Sequence, residues 1–302
     1  MRLAMIQNGQ AEQAAIISGG KAAAVAAVNK TYNENWQTNI FGLIESGELD
    51  GLTRWFNETG KAAIERGQLL VEDAESLSYG PLYRRPRKIW GIGLNYVDHA
   101  SDLGEKAPNT EPASFMKPDT SIIGPGDTIE IPLQSERTTA EAELGVIIGK
   151  TCRDVEEGDV MPYIAGYTTI IDMTAEDILQ KNPRYLTRAK SFDTFFSFGP
   201  QFVTKDEIGD LHALEVATVI NGTVHRKNTI DHMTFSPEFL VSFHSKVMTL
   251  LPGDIISTGT PGAVPIQDGD QVECRIEGFE ALANPCADLK ASKTANRKEE
   301  EF

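Results

Sequence analysis

Three turns in this chain carry the same residue pair, Gly-Asp, each just ahead of a β-type run. Gly126-Asp127 precedes Thr-Ile-Glu-Ile, Gly253-Asp254 precedes Ile-Ile-Ser-Thr, and Gly269-Asp270 precedes Gln-Val-Glu-Cys. Glycine tolerates the left-handed backbone that tight turns demand, and the short aspartate side chain bonds back to nearby backbone, so the pair reads as strand punctuation. From Lys88 onward, short β-branched and aromatic runs alternate with such turns, the texture of a rolled or barrel-like sheet. Helices interrupt it near 174–182 and 236–247, the second opened by Ser236-Pro237-Glu238, an N-cap followed by a proline at the first helical position.

The first part of the chain differs. Residues 1–30 suit a small hairpin followed by an Ala-rich segment, and residues 38–78 place Ile40, Leu43, Ile44, Leu52, Trp55 and Phe56 at helical spacing. Tyr79-Gly-Pro-Leu-Tyr-Arg-Arg-Pro86 reads as an extended linker, because each proline disfavours helix in the residue before it. With 302 residues, the length suits one large domain and a smaller companion. We expect a small N-terminal domain over 1–82, a catalytic domain over 83–286 and a charged, flexible tail over 287–302.

The 44 acidic and 28 basic residues leave a formal charge of −16, a field that repels nucleic acid and anionic membranes. An organic acid would need a local cation to bind such a protein. Cys152, Cys274 and Cys286 match no metal or disulfide spacing, and no stretch of about 18 apolar residues could span a bilayer. The N-terminus turns polar too early for a signal peptide, and the expected location is cytoplasmic.

Thr139-Ala-Glu-Ala-Glu-Leu-Gly-Val-Ile-Ile-Gly149 has the pattern of a strand, in which Glu141 and Glu143 share one face while Ala142, Leu144, Val146 and Ile148 share the other. Two carboxylates about 6–7 Å apart repel by roughly 2–3 kcal/mol at an effective dielectric near 20, and a cation would relieve that. Asp172 closes a second apolar run, Gly166-Tyr-Thr-Thr-Ile-Ile-Asp172, as a third oxygen ligand at a strand end. An all-oxygen set favours Mg²⁺ or Mn²⁺. The same alternation of acids also occurs on solvated edge strands.

Gly91-Ile-Gly-Leu-Asn-Tyr-Val-Asp-His99 lacks the third glycine of a dinucleotide fingerprint. His99 has the chemistry of a general base, with Asp102 near enough to orient it, although a lone histidine is more often structural. Lys190, between two polar turn-forming stretches, could hold developing enolate charge or face solvent. Ser257-Thr-Gly-Thr-Pro-Gly262 offers hydroxyls and N–H groups suited to a carboxylate.

In their order these motifs resemble the fumarylacetoacetate hydrolase family. The matching features are Gly-Leu-Asn-Tyr-x-x-His (93–99), Phe-Met-Lys-Pro-Asp-Thr-Ser (115–121), Gly-Pro-Gly-Asp-x-Ile-x-Ile-Pro (124–132), Glu-x-Glu-Leu (141–144), Asp-Met-Thr-Ala (172–175), Lys-Ser-Phe-Asp-Thr (190–194) and Thr-Gly-Thr-Pro (258–261). The resemblance implies a β-rich α+β fold, with a mixed β-roll catalytic domain of fumarylacetoacetase type and a small N-terminal α/β domain. It implies Mg²⁺ or Mn²⁺ on Glu141, Glu143 and Asp172, a homodimer, and a lid over about Asp98 to Lys117. It also implies catalysis by His99, Asp102 and Lys190, with substrate contacts from Tyr96, Lys117, Thr258, Gly259 and Thr260. The implied reaction is hydrolytic C–C cleavage of a small 2,4-diketo acid such as an acylpyruvate. The alternatives on the same site are isomerisation of a 2-hydroxy-dienedioate and decarboxylation of oxaloacetate; an alternative of another class is a non-catalytic small-acid-binding protein. The chain departs from the family pattern at Asp102, where hydrolases commonly carry glutamate, at Glu176 in place of an arginine, and at Gly262-Ala263.

Overall fold

In the computed structural model, which describes residues 1–9, 11–97 and 110–291, the three Gly-Asp turns share one hydrogen-bond pattern. Gly126, Gly253 and Gly269 are left-handed, with φ of 79°, 82° and 81°. Each aspartate N–H donates to the carbonyl three residues back, on Gly124, Leu251 and Gln267. Its carboxylate in turn accepts from the N–H of that same residue, at 2.8, 2.7 and 2.9 Å. Closed twice over, each turn delivers the chain into a strand: Ile129–Ile131, Ile255–Ser257 and Gln271–Ile276.

Among the described residues the strands form two mixed sheets, one of 13 strands and one of five. The expected β-rich architecture is thus present. At the centre of the large sheet lies Thr138–Ile148, antiparallel to Ile164–Ala175. Its residues Ala140, Ala142, Leu144, Val146 and Ile148 point into a core shared with Val216, Val272 and Ile276 of the smaller sheet. The opposite face of the large sheet is covered by the N-terminal helices, where Ile40, Leu43 and Leu52 pack with Ile147, Ile170, Phe198 and Phe202. Each such buried apolar side chain contributes about 1.5–3 kcal/mol, so both faces are firmly held.

The N-terminal strands Arg2–Asn8, Ala11–Ser18 and Lys21–Ala24 extend this same sheet, with Arg2–Ala4 antiparallel to Gln201–Val203. The helical reading of 38–78 holds only as far as Glu65, over Ile40–Glu45, Leu49–Trp55, a π-helical turn Phe56–Gly60 and Lys61–Glu65. Gly67, left-handed at φ 67°, then turns the chain out, and Glu72–Asp73 joins the sheet edge beside Lys21–Ala22. Toward the C-terminus the strand Leu282–Asp288 pairs with Ile129–Ile131, so it claims the first two residues expected in the tail; residues 292–302 lie outside the described residues. The helices Glu176–Lys181 and Pro237–Val247 sit where expected, the latter capped by Ser236, whose side chain accepts from Phe239 N–H at 3.0 Å. No described helix is long and apolar enough to cross a membrane.

Candidate metal centre and active site

The site is built where the central strand runs out of neighbours. Thr138–Ile148 is laddered along one edge by Ile164–Ala175, but on the other it meets Val264–Pro265 only at Thr139–Ala140 and Ile255–Ser257 only at Gly145–Ile147. The four residues between find other partners: Ala142 N–H donates to Thr218 Oγ1 at 3.1 Å, and Leu144 O accepts from Thr258 N–H at 3.0 Å and Thr258 Oγ1 at 2.9 Å. Within this window Glu141 and Glu143 share a face, and the register sets Asp172 directly across from Glu141. Asp172 therefore does not end its strand, which continues to Ala175; cross-strand pairing brings it to the two glutamates. One carboxylate oxygen from each lies within 4.8 Å of the other two, and all three residues are buried.

Two lysines answer this charge. Lys190 Nζ stands 2.8 Å from Asp172 Oδ2 and 3.0 Å from Glu141 Oε2, and Lys117 Nζ donates to Asp172 Oδ1. Lys190 also lies over the Phe115 ring, 4.7 Å from its centroid. Thr174 Oγ1 donates to Glu141 Oε1 at 2.7 Å, while Ser257 Oγ and Gly259 N–H, the latter at 2.9 Å, both donate to Glu143 Oε2. Burial, then the charges of Asp172 and Glu141, push Glu143 up to about 8. Burial alone would raise Asp172, but Lys117 and Lys190 hold it below the ordinary carboxylate range. Burial opposes the charge on Lys190, yet Asp172, Glu141 and Glu143 outweigh it and raise that lysine, whereas burial and the neighbouring Lys190 leave Lys117 lowered. The cluster is short of positive charge at Glu143, and three convergent, buried carboxylates with no sulfur or imidazole among them suit a hard divalent cation.

Of the other residues expected here, His99 and Asp102 lie outside the described residues. Tyr96 is fully buried with its hydroxyl unpartnered, and burial followed by the Glu143 charge raises its pKa. Thr258 braces Leu144, Gly259 reaches Glu143, and the Thr260 hydroxyl stays within its own turn, donating to Gly262 O at 3.2 Å. Lys190 occupies the end of a short helix, Leu186–Lys190, and is buried, unlike the turn expected for it. Glu176 is met by Arg137 Nε at 2.7 Å, so the reversed charge is balanced locally. Thr174 and Ser257, not among the expected site residues, hold the glutamates. Thr174 is accessible to the period-two rule, two residues beyond Asp172; the Ser257 turn reads as a carboxylate grip, but its partner Glu143, 114 residues away, leaves no local signal.

The sequence pattern of the fumarylacetoacetate (FAA) hydrolase C-terminal family matches residues 88–287. The chain belongs to this family. A mitochondrial oxaloacetate tautomerase of Xenopus laevis is 37% identical over 237 residues, 76% of this chain and 74% of that one. Maleylpyruvate hydrolase from Sphingobium sp. SYK-6, solved with manganese(II) and pyruvate, superposes with a TM-score of 0.77 at 28% identity, covering 95% of this chain and 99% of that one. The 5-carboxymethyl-2-hydroxymuconate delta-isomerase of Mycobacterium smegmatis gives 0.73 at 30% identity, covering 95% and 99%. Family members are enzymes, and this protein is an enzyme of the family.

Proposed function

We propose that the protein is a Mg²⁺- or Mn²⁺-dependent enzyme that interconverts the keto and enol forms of a small 2-oxo diacid of the oxaloacetate type. The observation that carries this is the seating of two buried ammonium groups, Lys190 and Lys117, on Glu141 and Asp172, with the third convergent buried carboxylate, Glu143, left without an ammonium partner. Such a cluster is organised for negative charge developing on an adjacent oxygen. A divalent ion on Glu141, Glu143 and Asp172 would add Lewis-acid charge at the substrate's 2-oxo and carboxylate oxygens, the local cation that a chain of net charge −16 needs for an anionic substrate. Lys190 then stabilises the enolate oxygen, Lys117 holds Asp172 in place, and the 258–260 turn and Tyr96 line the substrate. His99, oriented by Asp102, moves the proton between C3 and the 2-oxo oxygen, a transfer with no net change in atoms. The named tautomerase at 37% identity supports this choice.

The second reading is hydrolytic C–C cleavage of a 2,4-diketo acid, with His99 activating water. It is favoured by the maleylpyruvate hydrolase likeness, whose structure holds manganese and pyruvate. We further take the enzyme to be a cytoplasmic homodimer that acts without nucleic acid or membrane; light scattering on the purified protein tests the assembly.

Two incubations with Mg²⁺ or Mn²⁺ separate the readings. Faster decay of the oxaloacetate enol absorbance, without release of CO₂, supports the tautomerase; acetate and pyruvate in equal amounts from acetylpyruvate support the hydrolase. CO₂ from oxaloacetate would point to decarboxylation, and inertness toward both substrates by folded, metal-loaded protein sinks the proposal.

A further inference from the structure

Asn95 is fully buried and every polar atom of its side chain is used. Its Oδ1 accepts from Phe235 N–H at 2.9 Å, and its Nδ2 donates to Phe235 O at 3.0 Å and to Thr258 O at 2.7 Å. Its backbone carbonyl also accepts from Thr234 N–H at 2.7 Å. One side chain thus ties three segments that are distant in sequence. The residue before it, Leu94, is left-handed at φ 58°, a conformation that a branched side chain adopts only when the surroundings impose it.

The bond to Thr258 leads directly to the carboxylates. Thr258 is held from the other side by Leu144, and its neighbours Ser257 and Gly259 both donate to Glu143 Oε2. Gly259 is left-handed at φ 98°, and a Cβ there would stand 2.7 Å from Asn95 Cβ and 3.0 Å from Ile92 O. The turn is therefore clamped between the central strand and Asn95, with no slack for its N–H to shift relative to Glu143.

We infer that Asn95 is a positioning residue for the metal centre: by fixing the 257–259 turn it sets the orientation of the Glu143 carboxylate. The inference rests on the proposed reading of Glu143 as a metal ligand. Aspartate in its place would turn an oxygen toward the carbonyls of Phe235 and Thr258, replacing attraction with repulsion at almost unchanged volume. Serine would lose the bond to Thr258 through its shorter reach.

The test is Mn²⁺ binding by metal-stripped protein, followed by electron paramagnetic resonance of the free ion. It compares the parent, Asn95→Asp, Asn95→Ser, Gly259→Ala and a remote core control, Val28→Ala. Measurements are made at a temperature where circular dichroism shows each variant folded. Loss of a group that orients a ligand weakens metal binding by about 10-fold or more, so Asn95→Asp should show that loss, Asn95→Ser and Gly259→Ala a smaller one, and Val28→Ala none. Asn95 variants that bind Mn²⁺ as the parent does overturn the inference, as does an equal loss in Val28→Ala. Should neither Asn95 variant fold, Gly259→Ala decides, since it perturbs the same contact from the turn's side. A parent that binds no Mn²⁺ overturns the metal reading itself, an outcome distinct from unaffected variants.

Discussion

Glu143 is held at about 8 in the folded protein by burial and by Asp172 and Glu141, against an ordinary value of 4.5. At pH 7 such a group is about nine-tenths protonated in the metal-free state, and a cation ligated by it must displace that proton. Mn²⁺ uptake should therefore release close to one proton at pH 7 and almost none at pH 9.5, read from the dependence of the calorimetric enthalpy on buffer ionisation. The same shift acts on stability. A folded-state value above the unfolded one means that the native protein binds more protons between the two, so this contribution is complete below about 4.5 and is lost as pH rises toward 8. Lys190 makes the complementary case. Lys190→Met leaves Glu141 and Asp172 buried without their shared ammonium, at a cost of about 3–5 kcal/mol. The urea midpoint should fall accordingly, and added Mn²⁺ should recover more of the loss than it adds to the parent. The glutamate pair was legible because strand alternation is local. Lys117 was legible only through the family motif, since its place beside Asp172 depends on pairing across 55 residues.

The three Gly-Asp turns separate what a glycine does for its backbone from what it does for its neighbours. A Cβ at Gly269 meets nothing within 4 Å, whereas one at Gly253 stands 2.5 Å from the Phe41 ring. Gly269→Ala then carries only the left-handed penalty, about 1 kcal/mol. Gly253→Ala carries this plus displacement of an aromatic ring in the helix that covers the sheet. Thermal unfolding should show the second variant melting below the first, and Phe41→Ala combined with Gly253→Ala should narrow the difference. These turns were readable from sequence because their chemistry lies within four residues. The end of the N-terminal helices was not: Ser76, Leu77 and Ser78 sit in a helix-compatible stretch, but Gly67 at φ 67° and the pairing of Glu72–Asp73 with Lys21–Ala22 decide otherwise. The latter is a contact between segments some fifty residues apart, invisible to local periodicity.

On the scale of the whole molecule, the N-terminal segment and the family domain share a sheet. The proline-bearing stretch 79–86, followed by a change from helical to β texture, places a boundary near residue 82. The sheet nevertheless crosses it, through Arg2–Ala4 against Gln201–Val203, a pairing over roughly two hundred residues. The N-terminal helices also roof Ile170, Phe196, Phe198 and Phe202, all buried at present. Ile170 lies two residues before Asp172 on Ile164–Ala175, and Phe196 pairs directly across from Asp172, so the roof and the carboxylate cluster share that strand. A chain beginning at Lys88 would expose those aromatic rings and an unpaired strand edge together, a combination that favours association. Such a truncation should elute as large aggregates in size-exclusion chromatography and bind a hydrophobic dye, while the full chain does neither. Adding residues 1–82 as a separate polypeptide should recover soluble protein if the edge pairing drives docking. A soluble, active truncation would show that the family domain needs no roof and that the shared sheet is incidental to the site.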